Sequence, residues 1–201
     1  MPRRPNPDRA HELVEAIVAY VLANGVADLS LRDIAAALSI STYSLVYHFG
    51  SKQGMIAAVM ARIEERQREL TRTWSAEPGG AGIASLVRRY WDEWCLPDEL
   101  APYHRLFYET YALTLQQPER FPGFLERGAL PWLSSIRTLA QRSGLGDPDA
   151  NLVAWWACSS VLGALFILLG TGDKNAATRT VYAAADAIDT FIHSVMRGAL
   201  S

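Results

Sequence analysis

Between Ser30 and Lys52 the chain breaks twice, and those breaks constrain the fold more than any other stretch. Ser30-Leu31-Arg32-Asp33 has the form of a capping box, in which a hydroxyl and an acid three residues on satisfy the free amides of a helix start. A helix-prone run follows to Leu38, and Ser39-Ile40-Ser41 interrupts it. Ser41 is placed to cap a third helix, Thr42 to His48. Phe49-Gly50-Ser51 breaks again, and Ser51 caps a long helix to about Trp74. Two short helices joined by so tight a turn pack steeply only through a small apolar face. Ile34, Leu38, Ile40 and Leu45 supply it, and Ala35 keeps the helices close. This is the helix-turn-helix arrangement, whose second helix enters a major groove. A plain helical hairpin with a capped turn has the same local pattern.

Helical periodicity runs through the remainder, with no convincing strand alternation. Leu13, Val14, Ile17, Val18, Val21 and Leu22 stripe a first helix that stops at Asn24-Gly25. Met55, Val59, Ile63 and Leu70 recur along the long helix. Ser75 to Gly82 combines Pro78 with Gly79, Gly80 and Gly82 and marks a boundary. Helical stretches are expected near 83–95, 102–117, 121–143, 148–170 and 174–198, with Gly128 and Pro131 kinking or splitting the third. The expected fold is all-α, about nine helices. A head at 1–51, a connecting helix at 52–74 and a larger body at 83–201 make up the chain.

Half of the 201 residues are apolar, enough for a sizeable core. The net charge of −2 gives no hint of nucleic acid. Residues 1–74 carry nine basic against eight acidic side chains, and 75–201 carry ten against thirteen. That split has the sign of a DNA-binding head on an acidic body. Cys95 and Cys158 are too few and too far apart for a disulfide framework or zinc ribbon, and read as buried thiols in a reducing cytosol. Met1 to Pro7 leads into a charged segment rather than a secretory signal. Ala150 to Gly172 carries no charge and is long enough to span a bilayer. Its flanks hold Asp147, Asp149 and Asp173 with only Lys174 nearby, so a helix buried on most faces is expected instead.

The whole run from Ser30 to Lys52 resembles the TetR family of bacterial transcription regulators. The sharpest marks are Asp33-Ile34-Ala35, Ser44-Leu45, His48-Phe49 and Ser51-Lys52, preceded by an amphipathic helix and followed by a long one. The resemblance covers about a quarter of the chain. Three positions depart from it. Ser39 stands where the family usually has Gly, Val46 where an aromatic is common, with Tyr47 one place later, and Gly54 where an acidic or small helix former is common.

A recognition helix needs short polar side chains at its exposed start. Thr42 and Tyr43 suit base edges or a thymine methyl, and Ser44 a base or phosphate. Tyr47 and His48 are phosphate donors, although His48 equally suits a structural role. Lys52 adds charge to free amides at a helix start. Ser30 and Arg32 open the helix that crosses the backbone, and Arg3 and Arg4 form either a minor-groove arm or a solvated tail. One head offers few cations, so useful affinity requires a homodimer on a palindromic operator.

In the body, Ala150, Ala154, Ala157, Val161, Ala164 and Leu168 form a stripe of small residues, and the last helix presents Val181, Ala184, Ile188, Phe191 and Val195. The resemblance implies that the last two helices of each subunit build a four-helix dimer interface. The alternative is that both stripes pack within one subunit. The resemblance also implies a small-molecule inducer pocket among the body helices. Trp91, Trp94, His104, Phe107, Tyr111, Trp132, Trp155 and Phe166 are its candidate residues, with Glu109 and Cys158 as further polar points and an apolar or aromatic ligand expected. Aromatic stripes of this kind also build ordinary cores.

No phosphate-binding loop, nucleophile elbow or His-Glu-x-x-His occurs, and the four histidines are scattered. What the resemblance implies is a cytoplasmic, ligand-released repressor, with no catalytic activity, metal or cofactor expected. The alternative is a helical enzyme or small-molecule binder using the aromatic body.

Overall fold

The computed structural model describes residues 7–25, 29–75, 82–121, 123–127 and 129–198, and among them every regular element is helical. Helix α1 spans Pro7–Asn24, α2 Leu31–Ala37, α3 Thr42–Phe49, α4 Lys52–Ser75, α5 Ile83–Tyr90 and α6 Ala101–Gln116. The short α7 covers Phe124–Arg127, α8 Ala129–Arg142, α9 Asp147–Thr171 and α10 Lys174–Gly198. The stretch expected at 121–143 is split, as expected, into α7 ending at Arg127 and α8 beginning at Ala129, with a single turn at Pro118–Arg120 ahead of it. One stretch differs from the sequence expectation. The helix expected at 83–95 changes pitch at Trp91–Cys95, where the amide of Leu96 bonds the carbonyl of Trp91, a π turn.

The chain forms two compact units, and they do not follow the 83–201 body boundary. One holds residues up to Arg68 together with Pro102–Arg127, the other Glu69–Ala101 and Gly128–Ser201. In the first unit, Ile17 and Val21 of α1, Ile34 of α2, Leu45 of α3 and Met55 of α4 share one core with Leu106 of α6 and Phe124 of α7. A polar tie runs beside it. Glu15 accepts hydrogen bonds from Arg62 and Arg66, and Arg66 also donates to the Tyr103 hydroxyl at 2.7 Å. Burial pushes the Glu15 carboxyl up, but the Arg62 hydrogen bond and the two guanidinium charges hold it below the ordinary glutamate value. Glutamate therefore stays ionised where α1, α4 and α6 are joined.

In the second unit α9 packs on α8 and α10, and α10 packs on α5. Side chains of α5 and of the segment that follows it, up to Asp98, pin α10 in place. The Trp91 indole donates to Thr178 at 2.9 Å, the Tyr182 hydroxyl to Asp92 at 2.6 Å, and Lys174 pairs with Asp98 at 2.7 Å. Arg88 binds Asp186 and lies over the Tyr182 ring.

The small-residue seam requires correction. Ala150, Ala154, Ala157, Val161, Ala164 and Leu168 are buried inside the single chain, as are Val181 and Ile188, while Ala184, Phe191 and Val195 are half-buried. Small residues let α9 approach its intrachain neighbours closely, so that face is already occupied. Nor is α9 buried on most faces: Leu152, Trp155, Phe166 and Ile167 are each about half exposed or more, at 49–63%. By length and mean hydropathy of 2.2, α9 is the one helix among the described residues able to cross a membrane. Its buried side is nevertheless committed to packing against α8 and α10.

Candidate nucleic-acid interface

The interface is built by caps. Ser30 has extended backbone, accepts from the Asp33 amide at 3.1 Å and donates to the Asp33 carboxylate at 2.6 Å, which starts α2. At the other end Ser39 is left-handed, with φ of 54°. The Ile40 amide bonds the Ala35 carbonyl and the Ser39 amide the Ala36 carbonyl, the paired bonds of a Schellman stop. Glycine suits that backbone and serine does not. Ser39→Gly is expected to raise stability by about 1 kcal/mol, read as a higher urea midpoint with unchanged slope. An unchanged or lower midpoint would contradict the strain.

Ser41 accepts from the Ser44 amide at 3.1 Å and starts α3. Leu45 is fully buried and locks α3 against Ile34 and the rest of the head core. The opposite face stays open. Thr42 is exposed, Tyr43 is 76% exposed, and Val46 and Tyr47 are 43% and 46% exposed. The Tyr43 and Tyr47 rings stack at 6.4 Å, and Tyr47 meets the His48 ring edge-on at 5.3 Å. Ser44 and His48 are half-buried at the margin of this face.

Gly50, with φ of 73°, ends α3, and its amide bonds the Val46 carbonyl. Ser51 then caps α4 through the Gly54 amide at 3.0 Å. Gly54 explains its own departure from the family pattern: a Cβ there would lie 2.1 Å from the Phe49 carbonyl oxygen. Lys52 sits half-exposed at the start of α4, and Arg32 is exposed on α2. Arg3 and Arg4 lie outside the described residues. The structure thus gathers Ser30, Arg32, Thr42, Tyr43, Ser44, Tyr47, His48 and Lys52 on the capped helix-turn-helix. It adds Val46, which sequence reasoning treated only as a departure.

The candidate pocket residues do not gather. Trp91 is fully buried, Trp94 is buried, and Trp132 stacks edge-on against Tyr90 at 4.1 Å, all in the second unit. His104 is buried in the first unit, where Phe107 contacts Tyr111 and Phe124. Trp155 and Phe166 line no interior, because they project from α9 into solvent. A cleft of about 250 Å³ between α1 and α6 is lined by Val21, Leu22, Ala23, Gly25, Pro102, Arg105, Leu106 and Glu109. Of these, only Glu109 was foreseen, as a polar point. Burial pushes both thiols up, Cys158 to about 12, so neither is a thiolate at neutral pH. Among the described residues no cluster of His, Cys, Asp and Glu is suited to hold a metal.

A capped helix-turn-helix with an open second helix, carried on an all-helical chain, is the architecture of a DNA-binding regulator. Residues 13–59 match the family model of the bacterial regulatory proteins of the tetR family. No curated protein matches the sequence. Solved structures share the fold across the chain. A TetR transcriptional regulator from Legionella pneumophila is 17% identical, with a TM-score of 0.68 over 95% of this chain and 99% of that one. A transcriptional regulator from Rhodococcus sp. Rha1 is 16% identical, with a TM-score of 0.70 over 94% and 96%. The multidrug binding protein EbrR, solved with imidazole, is 24% identical, with a TM-score of 0.64 over 92% and 93%. The family match thus lies in the helix-turn-helix segment, and the fold of the whole chain is shared with solved regulators of the TetR family.

Proposed function

We propose that the protein is a homodimeric repressor that binds a palindromic operator in the cytoplasm and leaves it when a small apolar or aromatic effector binds. The observation that carries the DNA half of this reading is the division of α3. Leu45 is sealed into the head, whereas Thr42, Tyr43, Val46 and Tyr47 face outward. A helix serving only as a hairpin arm has no use for that open aromatic and aliphatic face.

The dimer surface is reassigned to the outer face of α9. Leu152, Trp155, Phe166 and Ile167 expose apolar surface there, and a Cβ added at Gly163 would meet nothing within 4 Å in the chain. A mid-helix glycine costs about 1 kcal/mol relative to alanine, with no packing return inside one subunit. A second copy lying across Gly163 accounts for both the glycine and the exposed rings.

The effector reading draws on the interior aromatics and on the description of EbrR as a multidrug binding protein. Phe107 and Tyr111 lie on α6, whose Leu106 is part of the same core as α1 to α4. A ligand that wedges among them and favours a displaced α6 shifts the head by linkage.

The test is selection of bound duplexes from random DNA by the purified chain, followed by titration of the selected site with apolar and aromatic compounds. Enrichment of a two-fold symmetric site, and its release by a compound that also raises the melting temperature, is the expected result. A symmetric site whose affinity no compound alters would overturn the effector half alone.

A further inference from the structure

Helix α3 lacks the side chains that most often read bases. Between Thr42 and Phe49 there is no Arg, Lys, Asn or Gln. The bidentate contacts to guanine and adenine are therefore unavailable to it. Besides the single hydroxyls of Thr42, Tyr43 and Tyr47, what it offers outward is hydrocarbon. Thr42, Tyr43, Val46 and Tyr47 fall at spacings of three and four residues, hence on one helix face, and all four are exposed. The only hydrocarbon that a base pair presents in the major groove is the C5-methyl of thymine.

We propose that this protein reads its operator chiefly through thymine methyl groups, with Tyr43 and Val46 as the specificity-determining residues. The inference rests on the DNA-binding reading above. Val46 supplies branched methyls in place of the family's usual aromatic. Tyr43, the most exposed large side chain on α3, supplies a ring face held by its stack on Tyr47. Hydroxyls of Thr42 and Ser44 add single hydrogen bonds at the margin. The operator half-site should then carry thymines beneath the middle of α3, on either strand.

Deoxyuridine lacks only that methyl and pairs identically, so it isolates the contact. The consensus selected by the full chain is resynthesised with uracil replacing each thymine in turn and titrated. Each contacted thymine should lose about fourfold in affinity, the worth of burying one methyl group. Val46→Ala should abolish the thymine–uracil difference at one set of positions and Tyr43→Ala at another. Tyr43→Phe, which keeps the ring, should retain it. If either alanine variant fails to fold, the uracil series on the unmodified protein still decides. A selected site that binds equally as thymine or uracil, or whose half-sites lack thymine, overturns methyl readout while leaving DNA binding intact. No enrichment of any duplex overturns both.

Discussion

Replacing Trp155 and Phe166 together by aspartate is expected to yield a folded monomer whose operator affinity is at least about a hundredfold weaker. Both side chains are more than half exposed in the single chain, so the subunit does not need them for its own core. Large aromatics are where interface free energy concentrates. Two facing carboxylates per subunit would then set like charges against each other across a symmetric contact. The DNA consequence is larger than the loss of either contact. Two tethered heads bind with an effective-concentration gain of about 10² to 10⁴, and a monomer forfeits it. Sedimentation equilibrium reads the mass, thermal unfolding shows whether the subunit survives, and titration of full and half operators reads the affinity. A variant that remains dimeric at wild-type concentrations would show that the outer face of α9 is not the interface.

Gly54→Ala should be destabilising, against the ordinary rule for helices. Alanine normally gains about 1 kcal/mol over glycine in a helix. Here the new Cβ would stand 2.1 Å from the Phe49 carbonyl oxygen, and backbone cannot rotate aside as a side chain can. Relief requires the end of α3 to move away from the first turn of α4. Overpacking of this kind costs about 1–3 kcal/mol, which lowers Tm by about 3–10 °C in a chain of this size. Operator binding should suffer more than stability, because the displaced element carries Val46, Tyr47 and His48. A raised Tm would mean that helix propensity wins and the junction is slack.

The helix-turn-helix half was legible because its signals are local. Ser30, Ser41 and Ser51 announce three helix starts within reach of their own amides, and each makes the expected hydrogen bond. Ile34 and Leu45 could be assigned to the contact between α2 and α3 because polar neighbours leave them one apolar face. The left-handed backbone at Ser39 agrees with the glycine usual at that place in the turn. Helix α9 was illegible in a corresponding way. It is apolar all round, so no polar residue tells the inward stripe from the outward one, and the small residues went inward. The aromatic pocket candidates failed to gather because their grouping depends on contacts distant in sequence. The π turn at Trp91 likewise has no local marker.

The sharing of one core by α1 to α4 with Leu106, Phe121 and Phe124 bears on biogenesis. During translation the helix-turn-helix module emerges before residues 102–127, so its apolar interior stays incomplete until more than fifty further residues have left the ribosome. A fragment ending at the close of α4 would leave Met55, Ile56, Val59 and Met60 without those partners. Grafting the module onto another protein therefore means transplanting residues 102–127 as well.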